Sequence, residues 1–157
     1  MKKLTTLILI FFTINVYAQT TVIPKNADKI IVLNDKTAEE NFIKVKQTLA
    51  DKDIAIAVQD RDVFQISTGK IRLNNNSSCS YLINCRDNKI SITGTWGTTM
   101  GLQIGYVTSN PSTYAIKYKG NQKVIFNQMD ELAKELGTEI KYEVPVVKKM
   151  PKNDDVY

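Results

Sequence analysis

The chain has 157 residues, with 21 Lys and Arg against 16 Asp and Glu, 43% apolar residues, two cysteines and no histidine. The missing histidine removes histidine-based triads, histidine metal sites and histidine proton shuttles from consideration. The length suits one domain with one core, and no repeat at a solenoid period or low-complexity tract divides it.

Lys2 and Lys3 precede an apolar run from Leu7 to Ile14, and Val16-Tyr17-Ala18 closes it with small residues where a signal peptidase reads. This pattern predicts a secretory signal over residues 1–18, because the run is shorter than the ~20 apolar residues a membrane helix needs. Cleavage after Ala18 would make Gln19 the first mature residue and send the product to the periplasm or the extracellular medium. Losing Lys2 and Lys3 takes the 21 basic residues to 19 against 16 acids, a net charge of +3. So small and scattered an excess argues against a nucleic-acid or anionic-membrane partner. The expected organisation is a signal peptide at 1–18, a single domain at 22–144 and a flexible C-terminal tail at 145–157.

Lys29 to Leu33 (KIIVL) reads as the first strand. Thr37 with Glu40 three residues on is a capping box, and Ala38, Phe42, Val45 and Leu49 make one apolar stripe on the helix that follows. Ile54 to Gln59 opens a hairpin through the loop Asp60-Arg61-Asp62, a length that sets Val58 opposite Phe64 and Ile56 opposite Ile66 on one face. The neighbouring carboxylates in that loop read as turn residues rather than an acid pair. Gly69 interrupts the alternation, and a bulge there keeps Ile71 and Leu73 on the apolar face.

The clearest signal is Tyr81 to Trp96 (YLINCRDNKISITGTW), two alternating strands about an Asp87-Asn88 turn. In that register Cys85 faces Ile90, Ile83 faces Ile92, Tyr81 faces Gly94 and Cys79 faces Trp96. Cys79 and Cys85 lie six residues apart, roughly 20 Å along a strand, whereas a disulfide needs Cα atoms within about 7 Å. Two buried reduced thiols are expected. Beyond Gly97, Leu102 to Val107 and Tyr114 to Tyr118 suggest a further hairpin, with Tyr106, Tyr114 and Tyr118 as an aromatic cluster. Asn121 is placed to cap a helix carrying Ile125, Met129, Leu132 and Leu136 on one stripe, Gly137 ends it, and Glu139 to Val144 reads as a short edge strand.

These elements assemble most economically as an α+β fold, a twisted antiparallel sheet built from hairpins with both helices on one face. TAEENFIKVKQTLAD (Thr37 to Asp51), AVQDRDVFQISTGKIRL (Ala57 to Leu73), SYLINCRDNKISITGTW (Ser80 to Trp96) and the helix at Lys123 to Leu136 together resemble a secreted domain of unknown function, common in Bacteroidetes, with a TATA-binding-protein-like fold. The resemblance covers residues 29 to 136 and implies that fold. That family usually has glycine in the turn where this chain has Asn88. It has no established catalytic residues, so it implies no site.

No phosphate-cradling glycine loop is present, and the two cysteines lack zinc-site spacing. No cofactor, metal or catalytic residue is therefore assigned. The expected function is a non-catalytic binding or interaction module of the bacterial cell envelope, its partner another envelope protein or a second copy. The candidate partner face is the sheet side away from the helices: Ala55, Ala57, Gln65 and Ser67 on one hairpin, Ser80, Asn84, Ser91, Thr93 and Thr95 on the other, with Leu82 among them. These residues are small or uncharged, so they could be covered without desolvating ions. The alternatives are a histidine-free hydrolase of cell-wall polymer, needing two carboxylates about 5–9.5 Å apart, or an inhibitor or immunity-like protein acting through Asp60 to Asp62 or the 97–113 segment.

Overall fold

The computed structural model describes residues 22–98, 103–104, 107–108 and 112–145. The leader at 1–18, Tyr106 and the tail beyond Pro145 lie outside the described residues. In chain order the elements are β1 (Lys29–Leu33), α1 (Ala38–Asp51), β2 (Ile56–Asp60), β3 (Gln65–Thr68), β4 (Ile71–Asn74), β5 (Ser77–Arg86) and β6 (Lys89–Thr98). There follow β7 (Gln103–Ile104), β8 (Val107–Thr108), β9 (Thr113–Ala115), a 3-10 turn at Gly120–Gln122, α2 (Lys123–Leu136) and β10 (Glu139–Glu143). The class is α+β: an eight-stranded antiparallel sheet ordered β10-β1-β6-β5-β3-β2, with β4 also beside β5, β9 also beside β6, and two helices.

The β5–β6 hairpin is the spine. Its ten residue pairs run from Arg86 opposite Lys89 to Ser77 opposite Thr98, in the register that the period-two pattern requires. The turn closes because Asn88 takes a φ of 60°, a left-handed conformation that asparagine tolerates. Cys79, Tyr81, Ile83, Cys85, Ile90 and Ile92 are all buried on the inner face, where α1 and α2 cover them. Each fully buried large apolar side chain contributes about 1.5–3 kcal/mol. This face therefore carries much of the stability.

Helix α1 begins where the capping box is expected: Thr37 Oγ1 accepts from Glu40 N at 3.3 Å and Thr37 N donates to Glu40 Oε2 at 2.9 Å. The bond from Thr37 N, and after it the one that Thr37 Oγ1 donates to Glu40 Oε2 at 2.9 Å, hold the Glu40 carboxyl below the usual carboxylate range. Phe42, Val45 and Leu49 are buried on its stripe. On α2, Phe126, Met129, Leu132, Ala133 and Leu136 are buried. Asp130 is buried with them, accepting from Tyr142 Oη at 2.7 Å and pairing with Lys134 Nζ at 3.0 Å. That bond stitches α2 to β10.

Three local expectations are corrected. Asn121 does not cap α2: the helix is entered through the 3-10 turn, Gln122 occupies the cap position, and the Gln122 Oε1 instead accepts from Lys117 N at 2.9 Å. The β2–β3 loop is longer than Asp60-Arg61-Asp62, because Asp60 pairs with Gln65 and its carboxylate accepts from both Asp62 N and Val63 N. Phe64 then turns at a φ of 49° to meet Phe42 edge-on at 5.9 Å. A register shift between Ile56 and Val58 follows, so Val58 sits opposite Ser67 and not Phe64, on the outer face and 64% exposed. Finally, Tyr114 to Tyr118 does not pair with the described residues of the Leu102 to Val107 stretch. β7 and β8 pair with each other, while β9 joins the edge of β6 through Thr95, Trp96 and Gly97.

The change of parity at Gly69 is accommodated by a strand break. β3 and β4 lie end to end along one edge of β5, Gly69 N bonds Ala55 O at 2.7 Å, and Thr68 Oγ1 accepts from Tyr81 N at 2.9 Å where the ladder is interrupted. The edge of β6 is likewise shared, by β1 and then β9.

Candidate functional site

Register alone builds the outer face of the sheet. One row crosses it through Ile31, Ser91, Asn84 and Gln65, and the next through Lys29, Thr93, Leu82 and Ser67. Gln65 Nε2 donates to Asn84 Oδ1 at 2.6 Å, and the hydroxyls of Ser80 and Thr95 lie 3.2 Å apart. Gln65, Ser67, Ser80, Asn84, Ser91, Thr93 and Thr95 thus lie together on three adjacent strands. Ala57 sits within the register shift and Ala55 precedes β2, so both fall off this ladder at the sheet margin.

Sequence reasoning missed two members of the face. Ile31 lies opposite Ser91 and is only 9% exposed, while Val58 was turned outward by the longer loop. Lys29 and Glu143 form an ion pair at one side, where β10 joins the sheet. The centre, from Ser91 across to Ser67, carries hydroxyl, amide and aliphatic groups. Bringing a flat surface against it would strip water from no charged side chain at that centre.

The second place is on the helix side, at the end of the hairpin remote from its turn. A cavity of about 670 Å³ opens there between the β4–β5 turn, Trp96 and the start of α2. Leu73, Trp96, Val124 and Ile125 supply its apolar wall. Asn74, Ser77, Asn121, Gln122 and Gln128 supply amides and a hydroxyl, and Lys119 the one cation among its described residues. The Trp96 Nε1 is shielded from solvent and has no hydrogen-bond partner among the described residues. The sequence places Trp96 on the apolar face but does not show that α2 begins too far along to cover it.

The aromatic cluster divides. Tyr114 is 54% exposed and its ring centroid is 5.7 Å from that of Trp96, whereas Tyr118 packs edge-on against Phe126 at 5.5 Å beside the core. Cys79 and Cys85 are free and buried, as expected. Burial pushes the Cys85 thiol up to about 12, while Cys79, which donates to Tyr81 Oη at 3.8 Å, is raised chiefly by burial as well. Neither is poised as a nucleophile. Among the described residues no three His, Cys, Asp or Glu side chains converge to hold a metal ion, and no helix is long and apolar enough to cross a membrane.

No protein-family model matches the chain, and no curated protein matches its sequence.

Proposed function

We propose that this chain is a non-catalytic interaction module, exported to the bacterial cell envelope, that seats a partner protein on the helix-free face of its sheet. The observation that carries this reading is the uncharged centre of that face, spread over three adjacent strands and linked across them by the Gln65–Asn84 and Ser80–Thr95 contacts. A neutral protein surface is the occupant that such a face admits at least desolvation cost, since hydroxyls and amides can pair again across the interface. The described lining of the cavity beside Trp96 includes no Asp or Glu, which favours binding over carboxylate-driven hydrolysis.

The test is to place a photo-crosslinking residue at Thr93 in the exported protein and compare it with one at Gln47, exposed on α1. A partner crosslinked from Thr93 alone, and lost in the Ser91→Arg/Thr93→Arg variant whose thermal transition is unchanged, supports the face. Equal crosslinking from both positions overturns it. Gel filtration of the purified protein identifies the case in which the partner is a second copy. N-terminal sequencing of the exported protein should begin at Gln19, and retention of the leader in the cytoplasm would sink the export half of the reading.

A further inference from the structure

The cavity beside Trp96 is separate from the sheet face, and its wall has a definite chemical character. An indole forms part of one side, and neutral groups that each donate and accept hydrogen bonds stand around it: Asn74, Ser77, Asn121 and Gln128. A volume of about 670 Å³ lies in the range that takes a small-molecule ligand. We infer that this cavity is a binding site for a short, uncharged saccharide, the C–H face of one sugar ring lying on the Trp96 indole and its hydroxyls meeting the surrounding amides.

Three features favour this class over others. A hydroxyl is both donor and acceptor, so amide side chains satisfy it in either sense, whereas an acyl chain would leave those same amides facing hydrocarbon. No carboxylate is among the described lining residues, which gives a cationic ligand no counter-charge, and the lone Lys119 is exposed and flexible rather than a built anion clamp. Trp96 lines the cavity with the apolar indole on which the C–H face of a sugar ring can lie. Asn121 and Gln128 are both exposed, leaving them available to a ligand.

Trp96 is the only tryptophan in the chain, so its emission reports on this site alone. The mature protein is titrated with N,N′-diacetylchitobiose, cellobiose and maltose, and separately with decanoate. The expected result is a saturable change in emission with at least one disaccharide, with Kd of about 1 mM or tighter, and none with decanoate. The Asn121→Ala/Gln128→Ala variant should weaken that binding about tenfold or more with an unaltered thermal transition. Amide NMR shifts induced by the sugar, confined to 73–77, 96 and 119–128, locate the site without any substitution. Absence of saturation with all three disaccharides overturns the inference, as does saturation by decanoate alone or binding untouched by the double substitution. The Ser91→Arg/Thr93→Arg variant should bind the sugar as the parent does, which separates this site from the protein-binding face.

Discussion

At its turn end the β5–β6 hairpin is tied into everything around it, while at its open end the same two strands leave a cavity. The turn end is a polar knot: Asp87 Oδ1 accepts from Ala38 N at 2.7 Å, capping α1 from outside the helix, and Asn88 N donates to Lys36 O at 2.7 Å. Asn41, fully buried on α1, exchanges amide bonds with Asn34 and donates to Arg86 O at 2.9 Å. Arg86 in turn reaches Val63 O. At the open end the flanking strands β4 and β9 are short, α2 is only beginning, and the shielded Trp96 N–H has no partner among the described residues. The difference teaches that dense polar satisfaction and open space stand at opposite ends of one hairpin, where a tightly bonded turn leaves room for incomplete packing at the other end.

The largest effect should come where the two ends meet. Phe126 is fully buried one residue past the cavity wall, touching Tyr118 and Tyr142, and Phe126→Ala should cost about 3–5 kcal/mol in urea titration. A loss below about 1 kcal/mol would mean that the cavity already extends into the core. Asn41→Ala should cost about 1–3 kcal/mol, because the carbonyl of Arg86 and the amide of Asn34 are left unpaired in a buried place. A neutral result would dissolve the contrast between the ends.

The two thiols sample the two ends directly. Both fold with raised pKa values, Cys85 from 9.0 to about 12, so the native state keeps protons that the unfolded chain releases. Their contribution is complete below about pH 9 and is lost as pH climbs toward 12, by up to about 1.4 kcal/mol per pH unit for each proton. Tyr81 and Tyr142, raised mainly by burial, act in the same direction. The urea midpoint should therefore fall above pH 9, and Cys85→Ala should flatten that fall by about one proton. In native protein iodoacetamide should label Cys79, at the open end, before Cys85, and the reverse order would contradict the comparison. The smallest effect is expected at the cavity: Trp96→Phe should change stability by less than about 1 kcal/mol, since lost ring contact is offset by removing an unpaired donor.

What could be read from the residues was what local periodicity decides. The β5–β6 register, the capping box at Thr37, the stripe of α1 and the edge strand β10 all depend on neighbours within a few residues or on one tight turn. Val58 was misplaced because Phe64 is drawn to Phe42, a contact between segments 22 residues apart in sequence. Asn121 does not cap α2 because the chain enters that helix through a 3-10 turn whose Gln122 is held by Lys117 N, and the partner of β9 is β6, a pairing that no local pattern encodes. Seven of the nine face residues follow from parity alone, since Ser, Thr and Asn must point away when Ile and Cys point in. The cavity was illegible for the opposite reason. It exists where α2 starts relative to the end of β6, a distance that no repeat in the sequence encodes.

The pairing of β1 with β10 sets the order in which this domain can be completed. Lys29 lies opposite Glu143, and Asp28 N bonds Glu143 O, so the first of the described strands takes one of its neighbours from the last of them. As the chain emerges N-terminus first, β1 can join β6 once residue 93 is available, but its other edge waits for about fifty residues more. Over that interval the apolar KIIVL segment has an open row of amides and carbonyls, a template for pairing with another chain. The alternating charges of Glu139, Lys141 and Glu143 then arrive as its cover, replacing a sticky edge by a charged one.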